Sequence, residues 1–350
     1  MASGRFFNAI TLVRWLFAVS LVCFHACVLL QHDFFVPIKG HAIVSVFFVL
    51  SGMLTYEGFM VHPEASPFYL RRFRKLFPPY ALVVVACALG FAAFSSLSLH
   101  DYYVSSGFWK YLAANLSFLN FLAPNLPGVF ADHTVNAVNS SLWTMKVEVM
   151  FYAFFPLVAW LSRRFRPLAV IAVAYLLSVA YNEWLTALYH SSGIEKYDVL
   201  RRQLPGQIMY FASGMAAVHF RSKLLRHKLA AFTAGLAIWL LCSAFTRFRP
   251  VEPIAVACVI TVAAYGSRRL SALSSRVPNL TYEVFLLHFP VLQIFVEMHV
   301  FERLGFGAAL LAAFVLILLL SFFTSKICAF SSRCFSKVWK DEKYKALILK

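Results

Sequence analysis

Charge is scarce in this sequence. Only 13% of its 350 residues are Asp, Glu, Lys or Arg, against roughly 25% in a soluble domain. Hydrophobic residues make up 61%, and Phe alone occurs 37 times. They are spread along the chain, so no stretch remains for a separate soluble domain of ordinary size. Acid is scarcer still: 15 Asp and Glu stand against 32 Lys and Arg, for a net charge of +17. A basic excess suits nucleic acid, anionic substrates or a membrane surface. No basic stripe lies on a soluble module, so no nucleic-acid partner is expected. Paired cysteines are missing too. Cys23, Cys27, Cys87, Cys242, Cys258, Cys328 and Cys334 form no CxxC, mostly lie inside apolar runs and carry no metal-ligand spacing. They predict no metal site and leave the redox compartment open. Internal repeats and low-complexity segments are absent. No polar, small-residue cleavage region follows the first apolar run, which is therefore expected to stay as a first span.

What is present is a series of apolar runs. A span needs about 20 mostly apolar residues to cross a hydrocarbon core of about 30 Å. Such runs fall at 8–30, 41–61, 77–97, 142–162, 167–188, 205–220, 229–246, 252–266, 279–299 and 305–327. The fold class read from them is an all-α integral membrane protein of about ten transmembrane helices. One transmembrane domain is expected over 1–330, with a basic tail over 331–350. Alternate connections, taken with Arg5 and the tail, hold 22 basic residues; the others hold eight. Basic residues collect on the cytoplasmic side, so both termini are expected there. The longest connection, 98–141, falls on the outer side. Its apolar stretch 108–123 is too short to cross and is expected at the interface or dipping in and out.

Within these runs, ionisable side chains are few. A charge at bilayer depth costs about 2.5–3.5 kcal/mol or more on insertion scales and usually faces a polar interior. Arg14 and His25 stand 11 residues apart, near three helical turns, so they share one face at ~16 Å separation. Either they belong to a polar seam, or Arg14 snorkels inward and His25 is a neutral interfacial histidine. Glu148 is expected ~12 Å below the outer surface and His25 ~5–8 Å below it, from the helical rise. The two meet if the first and fourth spans pack together. A carboxylate on a histidine orients the ring and suits a general base. Lys146, two residues from Glu148, lies on another face. His288 stands in Thr281-Tyr-Glu-Val-Phe-Leu-Leu-His-Phe-Pro290, where the proline removes a helix hydrogen bond. By itself His288 reads equally as a packing residue. Arg71, Arg72, Arg74 and Lys75 precede Pro78-Pro79-Tyr80; they read as anchoring charge or as a phosphate site, since guanidinium forks match phosphate oxygens.

These residues sit in segments that resemble the membrane-bound acyltransferase family 3. The resemblance rests on Arg14 and His25; on Phe47-Phe-Val-Leu-Ser-Gly52; on Phe68-x-x-Arg71-Arg72 running to Pro78-Pro79-Tyr80; on Ser141-Leu-Trp-Thr-Met-Lys-Val-Glu148 with Phe151-Tyr152 and Pro156; and on Tyr282, His288 and Pro290. The spans at 167–266 carry no matching motif. Two departures stand out. Lys75 occupies a position where the family often has arginine, and Ile43-Val44-Ser45 lacks the acid of the family's Gly-Val-Asp.

The resemblance implies a multi-pass O-acyltransferase of the bacterial plasma membrane. It would move an acyl group, typically acetyl, from cytoplasmic acyl-CoA to a hydroxyl of an extracytoplasmic carbohydrate such as a surface polysaccharide or lipopolysaccharide. On that analogy His25 is the catalytic base, and Glu148 supports the histidine or the acceptor. Arg71, Arg72 and Lys75 hold the CoA phosphates. Arg14 and His288 line the route of the donor. The lipid bilayer is the surrounding partner, and self-association into a homo-oligomer is left open. The competing reading is a proton-coupled permease, for which a polar Arg, His and Glu seam also serves; it predicts inverted repeats, and none is found. A purely structural anchor would leave the buried charges without a purpose.

Overall fold

A computed structural model describes residues 8–32, 39–61 and 64–348, with the side chains of 61, 65, 246 and 331–348 left aside. Long apolar runs leave the backbone one economical way to satisfy its polar groups inside lipid, the helix. Fifteen α-helices form among the described residues, in the order α1 Ile10–Leu30, α2 Gly40–Val61, α3 Ala65–Gly90, α4 Leu99–Val104, α5 Ser106–Leu116, α6 Trp143–Arg164, α7 Pro167–Ser192, α8 Glu195–Arg201, α9 Leu204–Arg226, α10 Lys228–Ala244, α11 Glu252–Tyr265, α12 Arg268–Ser274, α13 Thr281–Glu297, α14 Val300–Leu304 and α15 Phe306–Ile348. No sheet forms among them; one isolated antiparallel bridge joins Ser95 and Val129.

A long helix covers each of the ten apolar runs. Among the described residues, seven helical segments are long and apolar enough to cross a membrane: 10–30, 40–60, 66–94, 140–164, 167–192, 247–265 and 306–330. The protein is therefore a multi-pass membrane protein. The sequence reading needs correction at α3. That helix starts at Ala65, not near 77, and runs unbroken through Pro78 and Pro79. The two prolines release the carbonyls of Arg74 and Lys75 from the helix ladder. Both residues are exposed, so water can satisfy those carbonyls. The basic cluster thus lies on a helix, where Arg71, Arg74 and Lys75 share one face by their three- and four-residue spacing. Arg5 and Lys350 lie outside the described residues. The backbone of α15 continues as helix to Ile348.

The chain divides into two compact units. The first comprises 1–24, 36–68 and 144–279. There α9 packs against α2, α7 and α11, and α10 packs against α11. Two glycines bring α2 and α9 together. A Cβ added at Gly52 would lie 2.1 Å from the Phe211 carbonyl oxygen, and one at Gly214 would lie 2.1 Å from that of Val49. Small residues permit such close helix contact in membranes. Phe211 fills the remaining space, stacking on Phe48 at 4.8 Å and on Phe151 at 3.9 Å between centroids. Phe68 closes the unit, lying 5.6 Å from Phe59 and 5.7 Å from Phe155.

The second unit comprises 25–35, 69–143 and 280–350. Helix α15 packs on α13. The connection between α3 and α6 fills the rest by entering the unit twice. Tyr102 and Tyr103 donate to the carbonyls of Ala88 and Leu89, at 2.7 and 3.0 Å, which fixes α4 at the Gly90 end of α3. Helix α5 then descends. Its Asn115 carbonyl accepts from Tyr80 at 2.7 Å, and Phe118 stacks on Tyr80 at 4.4 Å. Tyr80 is eight residues from Ala88, ~12 Å along the helix. The stretch 108–123 therefore runs alongside α3 from its Gly90 end as far as Tyr80. Its turn is closed by the Asn115 amide, which donates to Tyr111 and Ala123 carbonyls, both at 2.9 Å.

The connection returns to the Gly90 end, where Phe130 meets Phe91 at 5.1 Å. It then runs down α13. His133 bridges Gln293 at 2.7 Å and Glu297 at 2.8 Å. The Gln293 amide donates to the carbonyls of Val135 and Ala137, at 2.6 and 2.8 Å. Asn139 reaches the Leu286 carbonyl at 2.8 Å. That carbonyl is the one Pro290 cannot serve, because proline has no N–H. The carbonyl freed by Pro290, expected from the sequence, is thus satisfied by a side chain of the connection.

Candidate functional site

In the second unit, α1 carries His25 and α13 carries His288. His25 Nδ1 lies 2.9 Å from His288 Nε2, with ring centroids 5.0 Å apart. His288 is fully buried. Its Nδ1 faces the carbonyls of Phe285 at 2.8 Å and Val284 at 3.2 Å. Ser141 Oγ approaches His288 Nε2 at 3.2 Å. Phe289 sets its ring edge-on to His25 at 5.2 Å. The two histidines that share no sequence neighbourhood are therefore one hydrogen-bonded cluster, with Ser141 as third member.

Local sequence explains how Ser141 arrives there. Asn139 caps the 3₁₀ turn 140–142 that opens α6, its side chain accepting from the Ser141 N–H at 3.2 Å. Asparagine is a preferred N-cap because its oxygen takes an otherwise orphaned N–H. The other end of the same amide is spent on Leu286. One side chain thus caps the turn and holds Ser141 beside His288.

Glu148 belongs to the first unit and has its own partners there. Ser51 donates to its Oε1 at 2.8 Å, and Tyr152, one turn further along α6, donates to the same oxygen. Ser51 and Tyr152 hydroxyls are 3.2 Å apart. Ser51 comes from the Phe-Phe-Val-Leu-Ser-Gly segment of α2, 11 residues from Gly40, or ~16 Å along the helix. Arg14, on α1, is partly buried in the same unit.

On α3, Arg71 is exposed and Arg72 half-buried, while Lys75 is exposed and acts electrostatically on Glu283 of α13. Glu283 Oε2 is buried and makes no hydrogen bond. Tyr282 donates to the Leu76 carbonyl at 2.9 Å, which ties the α13 motif to the Pro78-Pro79 region. Among the described residues, no group of three or more His, Cys, Asp or Glu is placed to hold a metal ion.

Two features escaped the sequence reading. Ser51, Tyr152 and Ser141 were quoted only as parts of motifs, and Asn139 not at all; a capping pattern before Trp143 was the available signal for Asn139. The second is a buried acid in the motif-free region. Glu252, 4% exposed, lies 3.4 Å from His41 Nδ1 and accepts from Tyr210 at 3.2 Å. Glu252 opens an apolar run, and nothing in the sequence pairs it with α2 or α9.

A protein-family profile described as an acyltransferase domain matches residues 7–326. Nodulation protein 10 of Rhizobium leguminosarum bv. viciae is 24% identical over 273 residues, covering 71% of this chain and 71% of that protein. The peptidoglycan O-acetyltransferase OatA of Listeria monocytogenes is 22% identical over 333 residues. That match covers 83% of this chain and 50% of the relative, so the chain spans about half the relative's length. No solved structure matches.

Proposed function

On the premise that the chain belongs to the acyltransferase 3 family, matched from residue 7 to residue 326, we propose that it transfers an acetyl group from cytoplasmic acetyl-CoA to a hydroxyl of an extracytoplasmic carbohydrate. The observation that carries this reading is the His25–His288 hydrogen bond of 2.9 Å within an apolar helical protein. Polar groups are costly there and persist where they serve a route or a reaction. The name of the peptidoglycan O-acetyltransferase relative supports acetyl as the group and a glycan hydroxyl as the acceptor, drawn from surface polysaccharide, lipopolysaccharide or lipo-oligosaccharide.

In this reading the plasma membrane holds about ten spans with both termini in the cytoplasm. Arg71 and Arg72 bind the donor's phosphates. Lys75 contributes less than an arginine would, because it shares its charge with Glu283. Arg14 lines the path of the thioester arm. His25 takes the proton from the acceptor hydroxyl; the oxygen attacks the thioester carbonyl, the C–S bond breaks, and the thiolate leaves with the proton that His25 returns. A positioned base contributes about 10²–10⁴-fold, and holding the two substrates together supplies much of the rest. Glu148, its carboxylate steadied by Ser51 and Tyr152, supports the histidine or the acceptor.

The test is acetyl transfer by the full chain in lipid, with labelled acetyl-CoA and glycan mass as readout. His25→Ala is expected to insert normally and to leave the glycan lighter by its acetyl groups. Unchanged glycan acetylation by that variant would remove His25 from the mechanism.

A further inference from the structure

We infer that His288 is a positioning residue that holds His25 in the Nδ1–H tautomer, leaving the lone pair on His25 Nε2. The inference rests on the proposed role of His25 and adds to it which nitrogen acts as base and what selects it. The argument starts from groups that have no choice. The carbonyls of Phe285 and Val284 can only accept, and both face His288 Nδ1, at 2.8 and 3.2 Å. A lone pair on that nitrogen would be repelled by both, so Nδ1 carries the proton. His288 is fully buried, and its remaining polar neighbours are the His25 ring and the Ser141 hydroxyl. A buried cation without a carboxylate is expensive, so the ring is neutral and its Nε2 is an acceptor. The two groups facing Nε2 must therefore donate. Ser141 can turn its hydroxyl hydrogen toward it at 3.2 Å. His25 can donate only through Nδ1, 2.9 Å away. The other nitrogen of neutral His25 is then the basic one.

The arrangement is held from both sides. Phe285 and Val284 belong to the same helical turn as His288. Ser141 is fixed by Asn139, which in turn is fastened to the Leu286 carbonyl that Pro290 leaves open. His288 thus does for His25 what a carboxylate does in a nucleophile–base–orienter triad, with a backbone carbonyl as the end of the chain. Unlike a carboxylate, a neutral imidazole brings no charge into the bilayer.

Nitrogen NMR on ring-labelled, full-length protein in lipid nanodiscs reads the tautomer directly, with His25 assigned by its loss in His25→Gln. The wild type is expected to show a protonated Nδ1 and a bare Nε2 at His25. His288→Gln places an amide oxygen near the lost acceptor and should keep both the tautomer and kcat to within about tenfold. His288→Leu should lose the tautomer preference and lower kcat by about 10²–10⁴-fold with KM for acetyl-CoA unchanged, the scale of a misoriented base. A protonated Nε2 at His25 in the wild type overturns the positioning role, as does an unchanged tautomer in His288→Leu. If His288→Leu does not fold, the wild-type and His288→Gln spectra still decide. Acetyl transfer by His25→Gln would instead overturn the proposed role of His25 itself.

Discussion

The two units solve the same packing problem differently. In the first, helix meets helix with backbones nearly touching, Gly52 and Gly214 giving up their side chains so that α2 and α9 can approach. In the second, α13 has as neighbour a largely irregular strap, residues 133–141, whose backbone is held by the Gln293 and Asn139 side chains, while His133 ties it to Gln293 and Glu297. The dry seam needs only small residues in the right place. The strap relies on placed side-chain donors, the Gln293 amide serving both the Val135 and the Ala137 carbonyl. The histidine cluster lies on the strap side, where polar partners can be delivered to mid-helix without a charged helix face.

Substitutions can separate the two modes. The largest effect is expected from Gly52→Val or Gly214→Val. A new side chain 2.1 Å from a main-chain oxygen must push the helices apart, at a cost of about 3 kcal/mol or more, the upper end for overpacking. Unfolding in a denaturing-detergent titration would measure it, and hydrogen exchange should show the 133–141 amides still protected. Next is Gln293→Leu, which strands the Val135 and Ala137 carbonyls and should cost about 1–3 kcal/mol. Here exchange should rise at 133–141 while α2 and α9 stay protected. Protection lost in α2 and α9 instead would erase the distinction between seam and strap. The smallest is Tyr80→Phe, removing one bond to the Asn115 carbonyl, about 0.5–1.5 kcal/mol, read as faster exchange at 115–118 alone.

Much of the helical skeleton was legible because hydropathy reports it directly: a long helix lies over each apolar run. The start of α3 was not, since Arg71 to Lys75 look like a loop in hydropathy and two prolines look like a break. Only exposure of the freed carbonyls lets the helix continue. Among the candidate residues, Arg14, His25, Glu148 and His288 were visible as ionisable side chains in apolar company. Their partners were not. Ser51 and Tyr152 on Glu148, and Ser141 and Asn139 around His288, are ordinary polar residues whose meaning comes from contacts 4 to 147 residues away. The connection 98–141 showed its unusual length and 108–123 its apolarity, but the course of that stretch along α3 depends on Tyr80, placed by a different helix.

The sequence distance between the paired histidines has a further consequence for how the protein is made. His25 and His288 are 263 residues apart, and the Asn139 amide finds its carbonyl 147 residues downstream. During synthesis, α1 enters the bilayer long before α13 exists. Until then the 133–141 segment has no carbonyl or amide of α13 to grip, and His25 has no neighbour to select its proton. Completion of the ring pair is therefore a late event of biogenesis, and a nascent or truncated chain ending before α13 carries the motif of α1 without the means to use it.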